Sequence, residues 1–163
     1  MERSEFINKY INPGKYSWRE IDGKIVINSS WDIFLNGCDS IPKGVIFDNG
    51  GDLTFRGLQK VEDGTEFTNK GNVFFSSHTK SIGKNVIFKN LGQVTFLGDL
   101  IEEDVVFENF GNLQISNYLM FFPVRAKFNN KGEVRGKWVS QINIPGISNK
   151  DLLRCMSKQL YQK

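Results

Sequence analysis

Apolar and polar residues alternate in short stretches along most of the chain, and the stretches recur at a fixed interval. Period-two alternation is the mark of a strand with one face buried. Phe stands at 47, 67, 88, 107 and 128. Asn follows two places later at 49, 69, 90, 109 and 130, and Gly two places after that at 51, 71, 92, 111 and 132. Leu53, Val73, Val94, Leu113 and Val134 come next, followed by Phe55, Phe75, Phe96 and Ile115, with Gly136 in the last copy. The consensus is F-x-N-x-G-x-[VL]-x-[FI], in five full copies spaced 20, 21, 19 and 21 residues apart. A degenerate copy precedes them in Ile27, Ser29, Trp31, Ile33 and Leu35.

Two further apolar rows lie upstream of each Phe: Val45, Thr65, Val86, Val105 and Ala126, then Ile41, Val61, Ile82, Ile101 and Phe122. Each copy therefore predicts two or three short strands separated by bends. One such unit cannot bury its own inward face, so the units must stack. The expected fold is an all-β, single-stranded β-helix, or solenoid, of about six coils of about twenty residues, with its handedness left open by the repeat. A leucine-rich-repeat solenoid is the alternative. It is less consistent with an Asn that precedes the second apolar pair.

The ends depart from the repeat. Residues 3–11 read as a short helix with Phe6, Ile7, Tyr10 and Ile11 on one face, stopped by Pro13-Gly14. Ser148 or Asn149 can cap a second helix over 150–162, with Leu152, Leu153, Met156 and Leu160 on one face. The expected organisation is one domain: an N-terminal cap over 1–20, coils over 21–138, and a C-terminal segment over 139–163. Helices at both ends would block edge-to-edge growth of the open strands, giving a discrete particle.

The Asn row reads as a hydrogen-bonded ladder at a corner, and the Gly after it as a bend with positive φ. Lys43, Asp63, Lys84 and Glu103 stand four places before successive Phe residues, and their alternating charge suggests register control between neighbouring coils.

Charge and chemistry-bearing residues narrow the function. Residues 150–163 carry a balance of +3, while the remainder balances at zero with 17 basic and 17 acidic residues. A neutral body lacks the basic sheath for phosphates, which argues against nucleic acid as the partner. Cys38 and Cys155 have neither metal spacing nor a disulfide framework, so they read as reduced thiols. No segment has the apolar length of a signal peptide or membrane span. The reading is a soluble cytoplasmic protein with no membrane partner and no cofactor or metal.

No catalytic set emerges. Glycoside chemistry needs two carboxyl groups about 5–10 Å apart, and the outward rows keep their acids several coils apart, as with Asp52 and Glu133. The near pair is diagonal, Asp48 with Glu66. His78 is the sole histidine and falls at a coil turn among Ser76, Ser77 and Thr79. The chain is therefore read as a non-enzyme. Its unusual outward feature is apolar: Ile87 and Leu91 in the third full copy, Val106 and Phe110 in the fourth. Such a cluster is either covered by the 139–163 segment or used as a partner surface, for another protein or for a second copy in a homodimer.

The stretch Ile41-Pro42-Lys43-Gly44-Val45 through Leu53-Thr54-Phe55-Arg56-Gly57-Leu58 resembles the twenty-residue L-P-x-x-L-x-V-x-G-x-L-x-L repeats of phage and prophage proteins. The resemblance covers residues 41–138. It departs from that pattern in its Phe and Asn, and only Pro42 and Pro123 keep the proline. It implies a phage or bacterial origin and, by analogy, a small accessory protein that binds and inhibits a host or defence protein, acting in the host cytoplasm. The expected function is thus non-catalytic protein binding through Ile87, Leu91, Val106 and Phe110. A carbohydrate-binding or carbohydrate-active β-helix, drawing on Phe74, Asp48 and Glu66, is one alternative. A structural or self-assembling component is another.

Overall fold

The computed structural model describes residues 1–11, 15–115 and 126–135. The predicted C-terminal helix and the 139–163 segment lie outside these residues, as do Phe122 and Pro123. The chain opens with helix α1 (Arg3–Tyr10) and a hairpin of β1 (Ser17–Ile21) and β2 (Lys24–Ser29). β3 (Ile33–Asn36) and β4 (Ser40–Ile41) complete the degenerate first coil. The full copies follow as β5 (Val45–Asn49), β6 (Leu53–Arg56) and β7 (Lys60–Val61), then β8 (Glu66–Asn69), β9 (Val73–Phe75) and β10 (Ser81–Ile82). Next come β11 (Ile87–Asn90), β12 (Val94–Phe96) and β13 (Leu100–Ile101), β14 (Val106–Asn109) and β15 (Leu113–Ile115), and finally β16 (Lys127–Asn130) and β17 (Val134–Arg135).

These strands form three sheets, one per side of the coil, and all pair in parallel except β1, which runs antiparallel to β2. The first runs β1-β2-β5-β8-β11-β14-β16, the second β3-β6-β9-β12-β15-β17, and the third β4-β7-β10-β13. The chain is a β-solenoid of about five turns. Register follows the repeat residue by residue: Phe47, Phe67, Phe88, Phe107 and Phe128 pair in succession, as do Asn49, Asn69, Asn90, Asn109 and Asn130.

Two Phe columns fill the interior. Phe47 stacks on Phe67 at 5.3 Å between centroids, and Phe88 on Phe107 at 4.9 Å. Phe55 stacks on Phe75 at 4.9 Å, and edge-on contacts such as Phe55–Phe67 join the columns. The cap coil has smaller residues, Ile27 and Leu35, in these columns. Phe6 of α1 compensates, fully buried and edge-on to Phe47 at 6.5 Å. Ile7 and Ile11 are buried beside it, so α1 covers the N-terminal end of the core as its apolar face predicts.

The Asn residues form the expected ladder. Each Nδ2 donates to Oδ1 of the next Asn, over 2.8, 2.9, 3.0 and 2.6 Å from Asn49 to Asn130. Its second hydrogen goes to the carbonyl of the Gly two places on, over 2.6–2.7 Å at all five Asn. Both amide donors are used, and the interior members have their Oδ1 used as well.

The Gly that follows does not do what the sequence suggests. Gly51, Gly71, Gly92, Gly111 and Gly132 have no positive φ. The constraint is axial approach. A Cβ at Gly71, Gly92, Gly111 or Gly132 would strike the backbone of the glycine one coil earlier, and at Gly51 it would stand 2.6 Å from the Asp32 nitrogen. A left-handed corner lies three places before the Phe instead, at Gly44, Gly64, Asn85 and Asp104, with φ of 78, 69, 55 and 60°. Those residue types tolerate this conformation best.

Ser29 ends the ladder. Its hydroxyl donates to the Trp31 carbonyl at 2.8 Å and accepts the Trp31 N–H at 3.0 Å, which copies the local turn bond of the Asn residues. A hydroxyl has one hydrogen, so nothing is left for Asn49, whose Oδ1 is buried without a partner. Replacing Ser29 by Asn supplies that donor and should raise stability by about 1 kcal/mol. Asn69→Ala, which strands groups on both neighbouring Asn residues and the Gly71 carbonyl, should cost about 2–4 kcal/mol. Urea unfolding followed by circular dichroism measures both, and opposite signs for the two variants are expected.

Candidate interaction surface

The outward faces carry what the stack does not use. On the first sheet, Ile87 pairs with Val106 and Lys89 with Glu108. Ile87 and Val106 are half-buried, one position before the Phe row. Leu91 and Phe110 lie at the corner after the Asn ladder, with exposures of 55% and 56%. Each donates its backbone N–H to the Asn one coil earlier, Leu91 to Asn69 at 3.0 Å and Phe110 to Asn90 at 2.9 Å. The two are thus equivalent positions in adjacent coils, ~4.8 Å apart along the axis.

The four predicted residues therefore form two pairs. Ile87 and Leu91 are four residues apart along an extended chain, ~13 Å, and Lys89 and Glu108 project between the pairs. The corner pair is the exposed one. Lys70 and Lys131, at the equivalent positions in the coils on either side, are exposed as well. The corner column thus reads Lys, Leu, Phe, Lys along the rod.

The carboxylates weighed for catalysis are held by neighbours. Glu66 pairs with Lys24 at 2.7 Å, and Asp48 accepts the Asn28 side-chain amide at 3.1 Å. The row after the Gly starts one coil earlier than the full copies indicate, at Asp32, which stands directly before Asp52. These two acids are closer neighbours than Asp52 and Glu133. Their oxygens serve the stack: Asp32 Oδ1 accepts the Asp52 N–H at 2.8 Å, and Asp52 Oδ1 accepts the Asn72 N–H at 2.7 Å. Asn72 continues the series to Gln93, and Asn112 does the same for Glu133, both at 3.0 Å. This exposed side-chain-to-backbone ladder escaped the sequence reading because Asp, Asn and Gln alternate in it.

The charge column before the Phe behaves similarly. Asp63 reaches the next coil by accepting the Lys84 backbone N–H at 2.9 Å. His78 is exposed on the turn between β9 and β10, next to buried Thr79. Among the described residues, no group of three or more His, Cys, Asp or Glu side chains could hold a metal ion. No helix among them is long and apolar enough to cross a membrane.

Two concavities stand out among the described residues. A wholly apolar void of about 20 Å³ lies within the core among Phe67, Phe75, Phe88, Phe96 and Phe107. It has room for one water-sized body and offers it no polar partner, so it is a packing defect. A groove of about 760 Å³ follows the left-handed corner near α1, lined by Arg3, Lys24, Lys43, Glu62, Glu66 and Asn85. Its charges are mixed, and Lys24 with Glu66 and Arg3 with the Gly23 carbonyl are already engaged.

No protein-family model, curated protein or solved structure matches the chain.

Cys38 is fully buried between β3 and β4, and its thiol donates to the Ser40 carbonyl at 3.3 Å. Burial, the largest cause, pushes the thiol up to about 12 from 9.0. The folded state holds the proton more tightly than the unfolded chain, so this contribution to stability is complete below pH 9 and is lost as pH rises toward 12. Cys38 should therefore resist iodoacetamide at pH 8 in the folded protein and react in urea, with mass spectrometry locating the adduct. The urea midpoint should fall above pH 9, and less so in Cys38→Ala.

Proposed function

We propose that the chain is a non-catalytic protein-binding solenoid that engages its partner at the corner formed by Leu91 and Phe110. The observation that carries this reading is the pair itself: two large apolar side chains, each more than half exposed, at equivalent positions in adjacent coils. Paired apolar anchors with a charged rim are what a recognition surface needs. Lys70 and Lys131 supply a basic rim, which suits a partner with an apolar pocket bordered by acidic groups. Ile87 and Val106, half-buried beyond Lys89 and Glu108, extend the surface as a secondary contact.

Resemblance to phage repeat proteins adds the finer reading, that the partner is a host or defence protein whose action is blocked in the cytoplasm. Carbohydrate binding is favoured by a separate observation. Phe34 and Phe74 stand on the outer face of the second sheet, in register on either side of Thr54. They are two coils, or ~9.6 Å, apart, and Phe34 is exposed. Such rings are platforms for sugars.

Affinity capture with the wild type, followed by titration of the purified partner, tests the protein-binding reading. Leu91→Asp and Phe110→Asp should each weaken binding by ten-fold or more, about 1.4 kcal/mol, without changing the urea midpoint. Phe34→Ala should leave it unaffected. A partner bound equally by all three variants would remove the corner from consideration. A glycan array in which binding is lost with Phe34→Ala would favour the second reading.

A further inference from the structure

The N-terminal end of the rod has an edge that α1 does not cover. The sequence suggests that a terminal helix would block open strands; α1 closes the core, but the outermost strand of the first sheet is β1. It runs antiparallel to β2, and all five of its residues are exposed. Asp22 and Gly23, with φ of 50 and 69°, form the two-residue turn. The flanking Ile21–Lys24 pair is therefore a hydrogen-bonded one, and so are Arg19–Val26 and Ser17–Asn28. Ile25 confirms the alternation by donating its N–H the other way, to the Gly44 carbonyl at 2.9 Å. It follows that the N–H and C=O groups of Trp18 and Glu20 point away from β2, along the free edge.

Apolar surface is concentrated at the same end. Trp18 and Ile21 are exposed on opposite faces of β1, and Trp31 is 76% exposed. Trp31 occupies the column that is Gly in every full copy. At that position the Cβ points at the preceding coil, and in the first coil no coil precedes. Trp31 therefore projects along the axis, off the end of the rod.

We propose that this end is a homodimer interface, in which β1 pairs antiparallel with β1 of a second copy about a two-fold axis at Trp18. An antiparallel strand edge is self-complementary under a two-fold. The backbone restricts the register, since only even-numbered residues of β1 offer outward groups. Centring on Arg19 would set Arg19 against its own copy, and centring on Glu20 would do the same for Glu20, with like charges opposed. Centring on Trp18 pairs Trp18 with its copy, Ser17 with Arg19 and Tyr16 with Glu20. Trp18, Ile21 and Trp31 leave on the order of 400 Å² of apolar surface at each end. With the strand edges included, two ends cover on the order of 1,000 Å², the scale a specific contact requires.

Sedimentation of the wild type at roughly 100 μM, enough to populate a contact with a dissociation constant near 10 μM, should give twice the monomer mass of 18.6 kDa. Glu20→Pro removes an outward N–H and leaves the β1–β2 ladder intact, so it should give the monomer with an unchanged circular dichroism spectrum. Phe110→Asp should remain dimeric, which separates this interface from the corner surface. In a Cys155→Ser background, Trp18→Cys should cross-link on oxidation, because hydrogen-bonded antiparallel partners lie ~5.5 Å apart at Cα, within disulfide range. A monomer throughout, a dimer that survives Glu20→Pro, or cross-linking no faster than in an exposed Lys89→Cys control would overturn the proposal.

Discussion

The asparagine ladder is the constraint on which the rest of the solenoid depends. An Asn amide can serve its own turn and the next coil together only when coils lie one strand spacing apart and in register. Its bond to the carbonyl two residues on fixes the turn, and its bond to the next Asn fixes the spacing. That spacing brings successive turns so close that the column beside the ladder admits only glycine between coils. The same spacing sets the Phe rings at 4.9–5.7 Å along each column, where they stack, tilt or, for Phe75 and Phe96, meet edge-on.

Variation in coil length shows where the constraint relaxes. From the Phe through the Asn and Gly to the second-sheet aromatic, the offsets never change. The whole difference between coils falls between the second and third sheets: Phe55 precedes Val61 by six residues, Phe75 precedes Ile82 by seven, and Phe96 precedes Ile101 by five. The longest of these links carries Ser76, Ser77, His78, Thr79 and Lys80. The sole histidine is thus in the part of the coil that tolerates insertion, which fits a surface turn better than a designed site.

The parts of this fold that were legible in the sequence are those that repeat one residue type at one offset. Phe, Asn and the aliphatic rows give the strands, their register and the stacked core, and the apolar face of residues 3–11 gives the cap. What escaped is built from mixed residue types or from backbone geometry. The left-handed corner uses Gly44, Gly64, Asn85 and Asp104, which share a tolerance for φ and no chemistry. The exposed ladder alternates Asp, Asn and Gln, and its first member, Asp32, falls in the degenerate coil. The Gly column reads as a turn in the sequence because a glycine that avoids a neighbouring chain and one that turns its own chain look alike there. Two residues along a strand share a face, but four residues along it span ~13 Å. That distance divides Ile87 and Val106 from Leu91 and Phe110, which the repeat offsets alone had placed together.

Stacking consumes much of the polar chemistry in this chain. Carboxylates that could look catalytic on a list, such as Asp32, Asp52 and Asp63, accept backbone N–H groups of the next coil, and Glu66 is paired with Lys24. Side chains free of such duties lie at corners that face solvent, like Leu91 and Phe110, or at the end where no coil precedes. The terminal coil is released from the axial constraint, which is why a tryptophan can occupy a column that is glycine everywhere else. In a rod whose interior rows must all satisfy their neighbours, the corners and the ends are free to vary, and this chain carries large exposed apolar side chains at both.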